Sequence, residues 1–475
     1  MRHYGQFYIN GQWVDPVEDR RIDLVNPANE EIFATVAIGS ATDVDRAVAA
    51  ARAALPAFSA TSPTERQALL RRIIESYRKR EADLARVIIQ EMGAPVSVNI
   101  HVTGPVGLFE DNIKLLETYP FESVEDGTLL RREAIGVCGL ITPWNWPVQA
   151  IVVKLASALA AGCTIVLKPS EYSPLCAIIL AEILHDAGTP PGVFNLVNGD
   201  GPGVGTAIAA HSDIDMVSFT GSTRAGILVA EAAAPSVKRV TQELGGKSAN
   251  IVLPDADLES AARWNVSRAF FNSSQSCHCP SRILVPRGRM EEFVGYMADE
   301  ARTFHVGDPS DPTTTMGPVV NRSQFNRIQA FIQSALDEGA TLVTGGPGRP
   351  AGLERGFYVQ PTVFANVRPD MTIAREEIFG PVLAVIPYDS EDEALAIANN
   401  TEYGLGAYLF TNDSIAARRI GQTMRAGRVF LNGDAGNMSA PMGGYRKSGN
   451  GRELGRFGLE EYLEVKAMFG YQATA

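Results

Sequence analysis

Cysteine is scarce in this chain: five residues in 475, an odd and scattered set. So few cannot build the disulfide framework of a small secreted scaffold, and they fit a reducing compartment such as the cytoplasm. Positive charge is also in deficit. Lys and Arg total 42 against 54 Asp and Glu, a formal net charge of −12. A chain without a basic excess is poorly suited to meeting phosphate backbones, so nucleic acid is not an expected partner. No apolar run reaches the roughly 20 residues of a membrane crossing. The most apolar stretch, Leu155–Leu167, is bracketed by Lys154 and Lys168 and reads as a buried helix and strand. The first residues lack the pattern of a secretory leader, and around Asn10-Gly11 they read as short strands joined by a hairpin turn. No internal repeat or low-complexity linker occurs. With 45% hydrophobic and 20% charged residues, the chain has the balance of a soluble globular protein of two or three domains.

What is present is a long alternation of strand and helix signals. Residues 42–92 read as helical, with Ser62-Pro63-Thr64-Glu65 as a capping box and proline at the first helical position. Residues 119–135 are polar and turn-rich, an excursion rather than core. From 136 to 242, strands are expected at 135–141, 164–168, 193–197, 216–220 and 239–243, with helices between them, one at 174–187. This spacing predicts a doubly wound parallel sheet, which binds ligands beyond the carboxyl ends of its strands. A second α/β region is expected from about 248 to 445. It has helices near 288–302 and 321–338 and a last strand near 428–431. The tail 462–471 reads as a terminal strand that pairs either with the 119–135 excursion or with another subunit.

The strand ends carry the chemistry. The stretch from Ala269 to Arg282 holds Cys277 and Cys279 among small polar residues, just before the strand-like Ile283-Leu284-Val285. A thiol there can be exposed yet held, as a nucleophile requires, or it can be a buried small hydrophobe. There is no G-x-G-x-x-G. The run from Gly199 to Gly205 fails the spacing, whereas Gly221–Gly226 places a glycine turn between a strand and a helix. Free backbone N–H groups there suit a phosphate, or simply a turn. Lys168 and Glu171 follow a buried strand and suit two ribose hydroxyls, or form a surface ion pair. In the ribose role, Glu171 would repel a 2′-phosphate and favour NAD over NADP. Asn145, set between Trp144 and Trp146 and flanked by Pro143 and Pro147, suits donation to an oxyanion or sits as a turn residue. Glu243 precedes Leu244-Gly245-Gly246, whose glycines leave a carboxylate free to swing and activate water; the plainer alternative is a solvated surface glutamate.

Together these blocks resemble the aldehyde dehydrogenase superfamily over nearly the whole chain. They are Pro143–Pro147, Lys168–Glu171, Phe219–Thr223, Glu243–Lys247, the Cys277 stretch and Glu376–Val382, in the family's order. The resemblance implies an α/β fold of two doubly wound domains plus a small β oligomerisation excursion. Residues 1–118 and 136–245 would bind the dinucleotide, 246–445 would be the catalytic domain, and 119–135 with 446–475 would bridge subunits of a homodimer or homotetramer. It implies NAD-dependent oxidation of a small-molecule aldehyde to a carboxylic acid through a cysteine thiohemiacetal and thioester. Cys277 would be the nucleophile, Glu243 the general base and Asn145 the oxyanion donor. The cofactor contacts it implies are Ile141, Thr142, Pro143, Trp144, Lys168, Ser170, Glu171, Gly201, Gly205, Phe219, Thr220, Gly221, Ser222, Gly226, Leu244, Gly245, Glu377 and Phe379. Cys279 receives no catalytic role, and Cys277, His278 and Cys279 make too small a set for a metal site. Ser274 departs from the family's usual glycine and would be strained if the position requires positive φ. Small residues at Ala150, Val153 and Gly436, and Met442 in place of an aromatic ring, suggest a wide access tunnel for an aromatic or branched aldehyde. The alternatives are a coenzyme-A-acylating semialdehyde dehydrogenase, against which Glu243 argues, and a non-catalytic protein on the same scaffold.

Overall fold

The computed structural model describes residues 2–471. Met1 and residues 472–475, at the ends of the first and last predicted segments, lie outside the described residues. The first sheet has eight strands in the order Gly449–Asn450, Arg239–Glu243, Met216–Thr220, Val137–Ile141, Thr164–Lys168, Phe194–Leu196, Phe7–Ile9 and Gln12–Val14. The five from Arg239–Glu243 to Phe194–Leu196 are mutually parallel. Thr164–Lys168 is buried along its whole length, as a central parallel strand must be. Its side chains alternate between two cores: Ile165 and Leu167 join one layer of helices, Val166 the other. Each buried Leu or Ile stabilises by about 1.5–3 kcal/mol, whereas a surface ion pair gives about 0–1 kcal/mol, so these two layers hold the unit together.

Local signals place the helices. Ser62 and Glu65 form the expected capping box, with Pro63 opening the helix Pro63–Arg78. Pro147 and Pro174 open the helices Pro147–Ala161 and Pro174–Asp186. The strand expected at 135–141 begins instead at Val137. Gly136, at φ +136°, turns the chain there, and an added Cβ would lie 1.9 Å from Asp215 Oδ2. The stretch expected to be helical over 42–92 resolves into Ala41–Ser59, Pro63–Arg78 and Glu81–Met92.

The second sheet has seven strands in the order Thr341–Thr344, Thr362–Ala365, Val382–Tyr388, Arg282–Pro286, Ala249–Val252, Gly406–Phe410 and Arg428–Leu431. All neighbours are parallel except the first pair. In the third, Glu122–Glu125, Thr128–Ala134 and Leu463–Met468 pair antiparallel, so the tail strand joins the 119–135 excursion of its own chain. No helix among the described residues is long and apolar enough to cross a membrane.

Candidate active site

The carboxyl ends of the first sheet gather the predicted cofactor residues. Ile141 ends one strand, and Thr142 beyond it donates its N–H to Lys168 O at 3.1 Å while its buried hydroxyl has no partner. Lys168 is buried, and burial lowers its ammonium pKa. Its Nζ donates to Pro169 O at 2.7 Å and lies 3.6 Å from Glu171 Oε2. Ser170 Oγ accepts from Tyr172 N at 3.3 Å. Gly201 and Gly205 bound a wide helical turn seated by Asp200, whose Oδ1 accepts from Gly203 N at 2.7 Å. A Cβ on Gly205 would touch Lys168 Cδ at 3.7 Å, which brings this turn to the Lys168–Glu171 loop. Phe219 and Thr220 end their strand. Gly221 donates its N–H to Glu243 O at 3.1 Å, and Ser222 caps the helix Thr223–Ala233 by accepting from Ala225 N at 3.3 Å. Gly226 lies so close to Leu244 that a Cβ would sit 2.6 Å from Leu244 Cδ2.

Two adjacent glycines tie the sheets together. A Cβ on Gly245 would lie 2.3 Å from Glu377 Oε2, and one on Gly246 would lie 2.4 Å from the Cys277 carbonyl oxygen. Gly246 N donates to Glu377 Oε1 at 3.0 Å. Burial raises the Glu377 pKa to about 7, against the pull of that hydrogen bond and of Arg327. Phe379, at φ +60°, sets its ring edge-on to Trp144 with centroids 5.4 Å apart. Trp144 packs on the first core, as do Val153 and Met442.

Cys277 is half-buried. Burial, then the carboxylates of Glu243 and Glu377, push its thiol pKa well up. Glu243 is 3% exposed and neither carboxylate oxygen has a hydrogen-bond partner. Burial is the main cause of its raised pKa; Glu453 adds to it and Lys154 pulls it back. Lys154 pairs with Glu453 and donates to Ser218 Oγ at 3.0 Å. Asn145 Nδ2 donates to Gln275 O at 2.9 Å, which uses one of its two protons and leaves one free beside the cysteine loop. Trp146 Nε1 donates to Ser276 Oγ at 3.0 Å and its ring stacks on His101, centroids 4.1 Å apart.

Ser274 does stand at positive φ, +59°, and follows Asn272 and Ser273 at +55° and +54°. Left-handed backbone costs a non-glycine residue roughly 1–2 kcal/mol, and hydrogen bonds from these three side chains offset it. Ser274 Oγ donates to Ala269 O at 2.6 Å, Ser273 Oγ to Gly317 O at 2.8 Å and Asn272 Nδ2 to Asn145 O at 3.1 Å. Cys279 turns its thiol to Ala269 O at 3.6 Å. No cluster of three or more His, Cys, Asp or Glu able to hold a metal occurs among the described residues. Gly436 is small for a backbone reason: it sits at φ +76°, where a Cβ would lie 2.9 Å from the Phe430 ring.

Several neighbours escaped the sequence. Lys154 carried a usable signal, the one charged side chain in the mostly apolar helix Pro147–Ala161. His101 and Glu453 carried none, because only the folded chain brings them near Trp146 and Lys154.

The molecule is thus an α/β protein with a half-buried thiol and a buried carboxylate where two parallel sheets meet. The model of the aldehyde dehydrogenase family matches residues 13–468. A 3-succinoylsemialdehyde-pyridine dehydrogenase of a Pseudomonas species is 50% identical, over 100% of both chains. A crystal structure of an aldehyde dehydrogenase C mutant of Pseudomonas syringae, with NAD+ and octanal, is 55% identical with a TM-score of 0.98 and covers 99% of this chain and 98% of its own. The Mycobacterium tuberculosis aldehyde dehydrogenase complexed with NAD+ is 40% identical, TM-score 0.96, covering 99% and 100%. The chain belongs to the aldehyde dehydrogenase family.

Proposed function

We propose that the protein oxidises an aldehyde to a carboxylic acid with NAD, using Cys277 as nucleophile, Glu243 as general base and Asn145 as oxyanion donor. The observation that carries this reading is Glu243: a buried carboxylate with two unpartnered oxygens, whose charge is, after burial, the next cause of the raised Cys277 thiol pKa. A carboxylate left without donors in a protein interior costs stability, and groups perturbed in this way cluster at functional sites.

The residues present fit a dinucleotide. The orphaned Thr142 hydroxyl, the N–H groups opening the helix at Ser222, the Lys168–Glu171 pair and the Glu377 carboxylate seated on Gly245 would hold it. The first sheet would thus carry the cofactor and the second the thiol. NAD, when bound, supplies the acceptor for the hydride that leaves the carbonyl carbon. The Cys277 thiolate adds to that carbon, and the oxygen is held by the free Asn145 N–H and the Cys277 backbone N–H. Glu243 then takes a proton from the water that attacks the thioester, which releases the acid and restores the thiol. Relatives crystallised with NAD+ support the choice of cofactor.

The test is NADH formation from an aldehyde, before and after thiol alkylation. Activity that survives modification of Cys277 would reject the reading. Asn145→Ala is expected to lower kcat on the order of 10²–10³-fold, and an unchanged kcat would remove Asn145 from the role. Gly245→Ala forces Glu377 aside and is expected to lower kcat/KM for NAD on the order of 10²-fold, with the KM for NAD as the measurement that locates the damage. A second copy of the chain would cover the exposed Val124, Val465 and Met468 of the sheet that the tail strand joins, giving a homo-oligomer, and the five free cysteines suit a reducing cytoplasm.

A further inference from the structure

Arg268 and Arg428 are half-buried, and neither forms an ion pair among the described residues. Arg268 contacts His278, the residue that follows Cys277, and the charges of both arginines act on it. Arg268 Nη2 donates to His278 Nε2 at 2.8 Å, so that nitrogen is the acceptor and Nδ1 carries the proton. His278 cannot supply a counter-charge, because burial, Arg268 and Arg428 together lower its pKa to about 3. Arg428 Nη2 donates to Asn437 O at 2.9 Å, and its guanidinium lies over the Phe430 ring, 5.4 Å from the centroid. Phe430 stacks on Tyr408 at 5.0 Å, and Tyr408 Oη donates to His278 O at 2.8 Å, so one aromatic shelf holds the whole group. Each guanidinium carries five donors in a fixed fork, and most of them here have no acceptor. Arg428 holds its charge against burial and against Arg268, with Tyr408 and Glu243 in its favour, yet no carboxylate among the described residues pairs with either guanidinium.

We propose that Arg268 and Arg428 form a subsite for an anionic group at the far end of the aldehyde, so that the preferred substrate is a carboxylate-bearing semialdehyde. This rests on the proposed aldehyde oxidation at Cys277 and adds the substrate class. A carboxylate matches the guanidinium fork in shape and charge, and its pairing with two arginines would hold the aldehyde end at the adjacent thiol.

The experiment compares an unbranched alkanal with the ω-carboxy aldehyde of the same chain length, in the intact enzyme and in Arg428→Gln and Arg268→Gln. The intact enzyme is expected to favour the carboxylate substrate, and each variant to lower the ratio of the two kcat/KM values about tenfold or more, the usual effect of losing a hydrogen bond to a charged group. Using a ratio cancels any change in Glu243, which also feels Arg428. An equal loss on both substrates, or an intact enzyme that prefers the alkanal, overturns the subsite while leaving aldehyde oxidation standing. Protection of Cys277 from iodoacetamide gives a readout independent of turnover. A dicarboxylate should protect the intact protein better than the monocarboxylate of equal length, and should lose that advantage in Arg428→Gln. Equal protection by the two acids overturns the proposal even if neither aldehyde is oxidised.

Discussion

Cys277→Ala is expected to lower aldehyde-dependent NADH formation by on the order of 10⁴-fold or more, as removal of a covalent nucleophile does in enzymes whose catalytic groups act as a unit. The fold should not suffer, because Cys277 is only half-buried and its backbone carbonyl, rather than its thiol, meets Gly246. Thermal unfolding and NAD binding of the variant should therefore match the parent, which separates loss of chemistry from loss of structure. The neighbouring Cys279→Ala is the control: its thiol faces Ala269 O, and turnover should stay close to that of the parent. Comparable losses in the two variants would show that the loop, and not one sulfur atom, had been damaged.

Glu243→Gln is the second large effect. Without a base, the first half of the reaction can still run, but water attacks the thioester slowly. Rapid mixing should show a burst of about one NADH per subunit followed by a steady rate lowered on the order of 10²–10⁴-fold. A variant that loses burst and steady rate together would move Glu243 to the first step. The pH profile follows from the same group. Burial and Glu453 raise the Glu243 pKa, and only the deprotonated form accepts a proton from water. Steady turnover of the parent should therefore fall as pH is lowered from the alkaline side, and this limb should vanish in Glu243→Gln. The Cys277 thiol, also raised, governs the first step instead, so the burst rate should fall toward acid in the parent and in Glu243→Gln alike.

The parallel sheet was legible because strand and helix signals alternate along this part of the chain. Thr164–Lys168, Met216–Thr220 and Arg239–Glu243 appear with the boundaries expected from pattern alone. The helix Ile100–Thr118 was not read, since Gly104, Pro105 and Gly107 interrupt its helical signal and packing overrides them. The strands Arg21–Asn26 and Glu31–Ala37 were also missed; the turn between them uses Glu30 at φ +64° rather than a glycine. At the site, motifs named the residues that lie in loops after strands. They could not name partners such as Lys154 and Glu453, far apart in the chain and joined only by the fold. The departure at Ser274 was visible, but its remedy was not: the hydroxyl bond to Ala269 depends on the path of the loop itself.

The two-residue strand Gly449–Asn450 closes the edge of the first sheet beside Gln242 and Glu243. A Cβ on Gly449 would lie 1.9 Å from the Gln242 carbonyl oxygen, so the fit allows no bulk. In the order of synthesis the parallel strands of the first sheet come first, yet the edge strand that pairs with Gln242 and Glu243 is made only after the entire second sheet has left the ribosome. A nascent or prematurely ended chain would therefore carry Cys277 before the backbone of Glu243 gains its edge partner, so under the proposed roles the hydrolytic half of the reaction would be the last to be completed.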